Sequence, residues 1–178
     1  MHSKLSKEEK LLDLLNPIFM PLPASPLLIY PGSGDDWVTP MQYVKRLFPN
    51  LKALRLILID IDDVGELIEK TLREKQIIFT KNKELLHFNW QGIEVMLTFW
   101  LKNIFFCIRE IPLFDIYFEK AFRIMKLQED EYEEIIFAKL KRGGLLISDS
   151  GFSHFSLKII PSPKELSVYQ EMIIGIKK

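Results

Sequence analysis

A single cysteine, Cys107, stands in a chain of 178 residues. With no second thiol the chain can build neither a disulfide framework nor a multi-cysteine zinc site, and this usage suits a reducing cytosol. Histidine is equally scarce, and His2, His87 and His154 are too scattered to supply a metal site instead. A surplus of one charge is also missing. Lys plus Arg equals Asp plus Glu at 24 each, with a pI near 6.8, so no overall field draws the chain to nucleic acid or to an anionic membrane. No uncharged stretch approaches the ~20 apolar residues of a membrane span, because the run 93–108 is interrupted by Glu94, Lys102 and Asn103. The opening 1–16 is charged throughout and lacks a secretory core, so a cytoplasmic location is expected. Absent repeats and low-complexity tracts exclude solenoids and propellers.

What is present is a core-forming composition: 48% hydrophobic, 12% aromatic and 27% charged residues. That suffices for one main core without staples. The chain divides into a lead-in, 1–26, and one α/β domain, 27–178. Ser6-Lys7-Glu8-Glu9 has capping-box spacing ahead of Leu11, Leu12, Leu14 and Leu15, which predicts a helix of about two turns. Pro17, Pro21, Pro23 and Pro26 then stiffen the approach to Leu27-Leu28-Ile29-Tyr30, a doubly buried strand stopped by Pro31-Gly32-Ser33-Gly34. Thr39-Pro40 opens a helix over 40–48, a second buried strand runs 54–59 and closes at Asp60, and Asp63 caps a helix carrying Val64, Leu67, Ile68 and Leu72. Further strands are predicted at 114–118, 145–148, 155–160 and 172–176, with helical stretches through Phe122 and Met125 and over 129–141. Alternating strands and helices predict a doubly wound, mostly parallel Rossmann-like sheet with antiparallel C-terminal strands.

The segment 85–100 breaks this rhythm. Leu86, Phe88 and Trp90 alternate with polar residues, Gln91-Gly92 turns the chain, and Ile93, Val95, Leu97 and Phe99 alternate again. A two-residue turn sets Trp90 opposite Ile93, Phe88 opposite Val95 and Leu86 opposite Leu97, which puts every apolar side chain on one face of a hairpin insertion. Residues 104–108 read either as more of this antiparallel patch or as a third parallel strand.

In an open parallel sheet, ligands bind beyond the carboxyl ends of the strands. Those ends here are Gly32-Ser33-Gly34-Asp35-Asp36, Asp60, Phe118-Glu119-Lys120 and Asp149-Ser150-Gly151. Glycines after a first strand expose backbone N–H groups, and an acid ending the second can accept from both hydroxyls of a ribose, a pairing that suggests an adenosine-containing ligand. The bland alternative is a tight turn and a loop acid. A dinucleotide is disfavoured, since its pyrophosphate needs a helix N-terminus directly after the glycines and no acids such as Asp35 and Asp36 beside it. A sulfonium with an amino group tolerates those carboxylates.

The arrangement from Leu27 to Lys178 resembles the class I S-adenosylmethionine-dependent methyltransferase superfamily. The resemblance rests on Leu28-Ile29-Tyr30-Pro31-Gly32-Ser33-Gly34, Ile57-Leu58-Ile59-Asp60, Phe114-Asp115-Ile116-Tyr117-Phe118 and Leu140-Lys141-Arg142-Gly143-Gly144-Leu145-Leu146-Ile147. It implies S-adenosylmethionine as cofactor, with Tyr30, Gly32, Gly34 and Asp35 at its methionine part, Asp60 at its ribose, Glu110 near its adenine, and Phe118, Glu119 and Lys120 near the reacting methyl. The acceptor it implies is a small molecule or a protein. Tyr30 replaces the family's usual acid, with Asp35 as a substitute, Asp36 stands near the usual third glycine, and no Asn-Pro-Pro-Tyr or Asp-Pro-Pro-Tyr follows the central strand. A methyltransferase-like fold that has lost catalysis and serves as a binding or interaction module is the alternative. Glu119 and Lys120 also fit an ordinary charged first helical turn. Asp35, Asp36, Asp60, Asp62 and Asp63 do not by spacing alone make a metal site. Ser150, Ser153 and His154 match no nucleophile elbow. Cys107, Trp37, Trp90 and Trp100 read as packing residues.

Overall fold

The computed structural model describes residues 7–178. Ser6 of the proposed capping box and His2 lie outside them. Nine strands form one sheet in the order β3-β4-β5-β2-β1-β6-β7-β9-β8. Its centre is five mutually parallel strands: β1 (Leu27–Pro31), β2 (Ala53–Asp60), β5 (Ile93–Leu101), β6 (Phe114–Glu119) and β7 (Leu140–Ser148). Antiparallel strands β3 (Phe79–Asn82) and β4 (Leu85–Trp90) finish one edge, and β9 (Ile173–Lys177) and β8 (Leu157–Ile159) the other. The fold is Rossmann-like and doubly wound. From β1 the chain builds outwards through β2 to β5, then returns to the other side of β1 for β6, so the winding switches between β1 and β6.

Period-2 alternation along the parallel strands supplies the two buried faces. Leu28, Tyr30, Leu54, Leu56, Leu58, Ile116, Phe118, Leu145 and Ile147 face α1 (Lys7–Leu12), α2 (Val38–Leu47), α3 (Gly65–Glu74) and a 3-10 turn, Lys164–Leu166. Ile29, Ile59, Tyr117 and Leu146 face α4 (Ile104–Cys107) and α6 (Tyr132–Lys139). Val64, Ile68 and Leu72 are buried at helical spacing, and full burial of side chains this size stabilises by about 1.5–3 kcal/mol each. Leu67, expected inward, is exposed.

The hairpin register is the expected one, with Trp90 opposite Ile93, Phe88 opposite Val95 and Leu86 opposite Leu97. Gln91 and Gly92 both take positive φ, 50° and 84°, the geometry that lets a two-residue turn follow strand twist. Its second strand is not an insertion, however. β5 pairs in parallel with β2 over its whole length, so it is the third core strand, and residues 104–107 form α4 instead of a strand. Asn103 caps that helix by accepting the Phe105 N–H at 2.9 Å, and Cys107 is buried behind it, where desolvation pushes the thiol up.

Three other boundaries shift. α2 begins at Val38, and its first turn is capped by the Asp36 carboxylate, which accepts the Thr39 N–H at 3.0 Å, so Thr39 is not the cap. The stretch after β6 is helical only over α5 (Arg123–Lys126). The helical stretch expected over 129–141 is shorter, α6 (Tyr132–Lys139), and Arg142-Gly143-Gly144 lies inside β7. The β6–β7 register jumps there, between Phe114–Leu140 and Ile116–Leu145. A Cβ on Gly144 would lie 2.8 Å from the carbonyl oxygens of both Asp115 and Lys141. Gly144→Ala is therefore expected to cost about 1–3 kcal/mol, read as a drop of several degrees in melting temperature.

Candidate functional site

Because the five central strands are parallel, their carboxyl ends lie along one edge, and the glycine loop leaves β1 beside the winding switch. The Gly32 N–H continues the ladder to the Ile59 carbonyl at 2.8 Å, and the chain then turns through Gly32 at φ 60° and Gly34 at φ 52°. The Asp60 carboxylate holds the turn. One oxygen accepts the Gly34 N–H at 2.7 Å and the other the Asp62 N–H at 3.1 Å. The expected pair of glycine loop and strand-end acid is thus in direct contact. A Cβ on Gly34 would meet open space, whereas one on Gly32 would lie 2.5 Å from the Phe122 ring.

A cavity of about 350 Å³ opens next to this contact. Gly32, Asp60 and Ile61 line it from β1 and β2, Asn103 and Phe105 from the segment after β5, and Phe122 and Met125 from the segment after β6. The Phe105 and Phe122 rings stack at 6.0 Å with an 11° tilt. Lys102 reaches the rim, lies over the Trp100 ring and pairs with Glu110 at 3.6 Å, so Glu110 stands behind the rim and not in the wall. Volume and lining suit a small ligand with one flat apolar part and one hydroxyl-bearing part.

The remaining expected residues lie elsewhere. Asp35 is exposed. Phe118 is a core ring, meeting Tyr30 edge-on at 4.8 Å and Tyr43 at 5.2 Å. Tyr30 is buried, and desolvation together with Asp36, Asp149, Glu8 and Asp60 holds its phenol well above the usual range. Lys120 pairs with Glu8 of α1. Glu119 does not reach the cavity. It is fully enclosed, accepting from Tyr117, Ser148 and Lys126, with desolvation raising its pKa against those partners. Its role here is that of a buried ion-pair member. Among the described residues no group of three or more His, Cys, Asp or Glu side chains could hold a metal ion, and no helix is long and apolar enough to cross a membrane.

Asn103, Phe105, Phe122 and Met125 had no site role in the sequence reading, and Asp149 only a place at a strand end. Asp149, just past β7, is 1% exposed. One of its oxygens accepts the Ala121 N–H at 2.8 Å, while the other has no hydrogen-bond partner. Desolvation raises its pKa, opposed by Ala121, Lys126 and Lys120, so the folded chain binds this proton more tightly than the unfolded chain. Its stabilising share is complete below the unfolded carboxyl value and is lost as pH rises through the folded one. Asp149→Asn is therefore expected to gain in melting temperature on the parent as pH rises from the ordinary carboxyl range towards neutrality. A gap that stays constant with pH would contradict this.

No family model matches the chain, and neither does any curated protein. Solved structures similar to it include the following three. Precorrin 8w decarboxylase of Methanobacterium thermoautotrophicum is 20% identical, with a TM-score of 0.44 and coverage of 76% of this chain and 56% of that one. A putative protein-L-isoaspartate O-methyltransferase of Plasmodium falciparum, in complex with S-adenosyl-L-homocysteine, is 16% identical, TM-score 0.42, covering 94% and 66%. A putative S-adenosyl-L-methionine-dependent methyltransferase of Methanococcus maripaludis is 13% identical, TM-score 0.48, covering 86% and 78%. The chain thus spans little more than half the length of the first of these.

Proposed function

We propose that this chain binds S-adenosylmethionine and transfers its methyl group to a small-molecule or protein acceptor. The observation that carries the reading is the contact of the Gly32–Gly34 loop with Asp60 at the mouth of the 350 Å³ cavity. Asp60 is only partly buried, and each of its oxygens retains a lone pair for a ribose hydroxyl. Ile61, Phe105, Phe122 and Met125 offer a flat apolar bed of the kind an adenine occupies, and the free amide NH₂ of Asn103 can reach a base edge. The open side of Gly34 leaves room for the rest of the ligand.

Charge selects among adenosine ligands. Asp35, Asp36, Asp60 and Asp62 crowd this edge, and Asp36 already occupies the start of α2. A pyrophosphate would meet repulsion there, whereas a sulfonium and an amino group meet attraction. When bound, S-adenosylmethionine supplies a methyl group on a good leaving group, and the chain's part is to hold and orient it.

The Phe122 ring seated against Gly32 is the feature that favours a non-catalytic binding module instead. Calorimetric titration with S-adenosylmethionine, S-adenosylhomocysteine and NAD separates the readings. Micromolar binding of the first two and none of NAD supports the donor site. No binding of any of them overturns it in favour of the module.

A further inference from the structure

A second cavity, of about 330 Å³, lies across α5 from the one beside Asp60. Phe122, Met125 and Gln128 line the Asp60 cavity, whereas Arg123, Lys126 and Leu127 of the same short segment line this one. Ser150 and Gly151, just past β7, form part of its wall. Five carboxylates complete it: Glu129 and Asp130 ahead of α6, Glu133 and Glu134 in the first turn of α6, and Glu171 ahead of β9.

The cations of the lining are already engaged. Lys126 is buried and donates to Glu119, Glu133 and the Ser150 carbonyl. Arg123 pairs with Glu171 at 3.4 Å and lies over the Tyr169 ring, and His154 stands 3.6 Å from Glu134. Among the described residues nothing pairs with the side chain of Glu129 or Asp130. Glu133 is the fixed point of the wall. Its two oxygens accept from Lys126 and from the Phe152 N–H, both at 2.8 Å, and each keeps a lone pair. It packs so closely on Gly151 that a Cβ there would overlap the carboxylate.

Ser150 points to a ligand independently of these acids. It lines the cavity and is 1% exposed. Its N–H donates to Ser148 Oγ and its carbonyl accepts from Lys126, but its hydroxyl has no partner among the described residues. Buried hydroxyls are almost always satisfied, and an exception calls for a ligand or a role. The spread of the acids selects the ligand's shape. Among the described residues no three His, Cys, Asp or Glu side chains could hold a metal ion, so a point charge is not matched. A guanidinium is planar and weakly hydrated, and its five N–H donors reach separate acceptors at once. Leu127, exposed at the rim, covers an alkyl stem.

We propose that this cavity, through Glu129, Asp130, Glu133 and Ser150, is a binding site for a guanidinium group. The site does not rest on the methyl-transfer reading, because none of these residues lines the Asp60 cavity.

The test is an amide chemical-shift titration of the full chain with ethylguanidinium and with ethylurea, its neutral counterpart of the same shape. Gly151 reports on this cavity and Gly34 on the other. The parent is expected to bind ethylguanidinium about tenfold or more tightly than ethylurea, with shifts at Gly151 and none at Gly34. Ser150→Ala is expected to weaken ethylguanidinium by about fivefold while the melting temperature holds or rises, since the hydroxyl it removes has no partner in the fold. Glu129→Gln combined with Asp130→Asn, which removes two side chains that nothing else uses, is expected to erase the preference over ethylurea. A capped tripeptide with arginine at its centre separates the sources of the group. Binding tighter than that of ethylguanidinium by about fivefold or more supports a polypeptide's arginine, and equal or weaker binding supports a free guanidino compound. Equal affinity of the parent for ethylguanidinium and ethylurea, binding of neither, or an unchanged affinity for ethylguanidinium in either variant overturns the site. Shifts centred on Gly34 instead of Gly151 also overturn it, by placing the cation among the acids beside Asp60.

Discussion

Asp60→Ala is expected to weaken S-adenosylhomocysteine binding by about two orders of magnitude. Two hydroxyl hydrogen bonds to a carboxylate are worth roughly 1.5–3 kcal/mol each, and 1.4 kcal/mol is a factor of ten. A second loss adds to the first. The Gly34 and Asp62 N–H groups lose their acceptor, so the turn that frames the cavity loosens as well. Asp60→Asn divides these effects, because its amide oxygen can still accept from Gly34 while its NH₂ cannot accept a hydroxyl proton. About a tenfold loss is expected for Asn, midway between Ala and the parent. Calorimetry gives the affinities, and a melting temperature within a few degrees of the parent's shows that the sheet is intact. Unchanged affinity in Asp60→Ala would remove the ribose role and with it the main support for the donor site.

How much of this was legible before the structure depended on how local each signal was. The hairpin pairing was readable because strict alternation and a two-residue turn leave one register that buries all the apolar residues. Gly32 and Asp60 were readable for a similar reason: each directly ends a buried apolar run, which fixes it at the ligand edge of a parallel sheet. The rest of the cavity comes from three segments that meet only through tertiary packing. Asn103 carried one local clue, a capping residue ahead of a short apolar run, but that run fits strand and helix equally well. Phe122 was assigned to a helix face, whereas helix forms only from Arg123, which frees the ring to turn over Gly32. β3 escaped notice because its residues are mostly exposed and show no alternation. Glu119 illustrates the limit most clearly. A glutamate ending the central strand looks the same in sequence whether it faces a ligand or a lysine, and only the packing of α5 and α6 decides.

That lysine gives the largest stability effect expected of a single substitution. Lys126 Nζ donates to Glu119 at 2.6 Å, to Glu133 at 2.8 Å and to the Ser150 carbonyl at 2.6 Å. Its ammonium also lies over the Phe152 ring at 4.7 Å. Glu119 has no exposed side-chain surface, so Lys126→Met leaves a buried carboxylate with only the Tyr117 and Ser148 hydroxyls to support it. Breaking a buried pair from one side costs about 3–5 kcal/mol, and at roughly 2–4 °C per kcal/mol for a chain of this size the melting temperature should fall by about 6–20 °C. Adding Glu119→Gln removes the stranded charge, and the double variant is expected to recover more than half of the loss. The sign of the pH dependence follows from the raised pKa of Glu119. The carboxyl is protonated in both folded and unfolded states at low pH, and its cost appears as pH rises through the folded value. The deficit of Lys126→Met should therefore be small near about pH 4 and grow towards neutrality, while that of the double variant should vary little. A single variant that melts with the parent at neutral pH would mean that water or a rearranged side chain solvates Glu119, and that the network does not hold α5 to the end of β6.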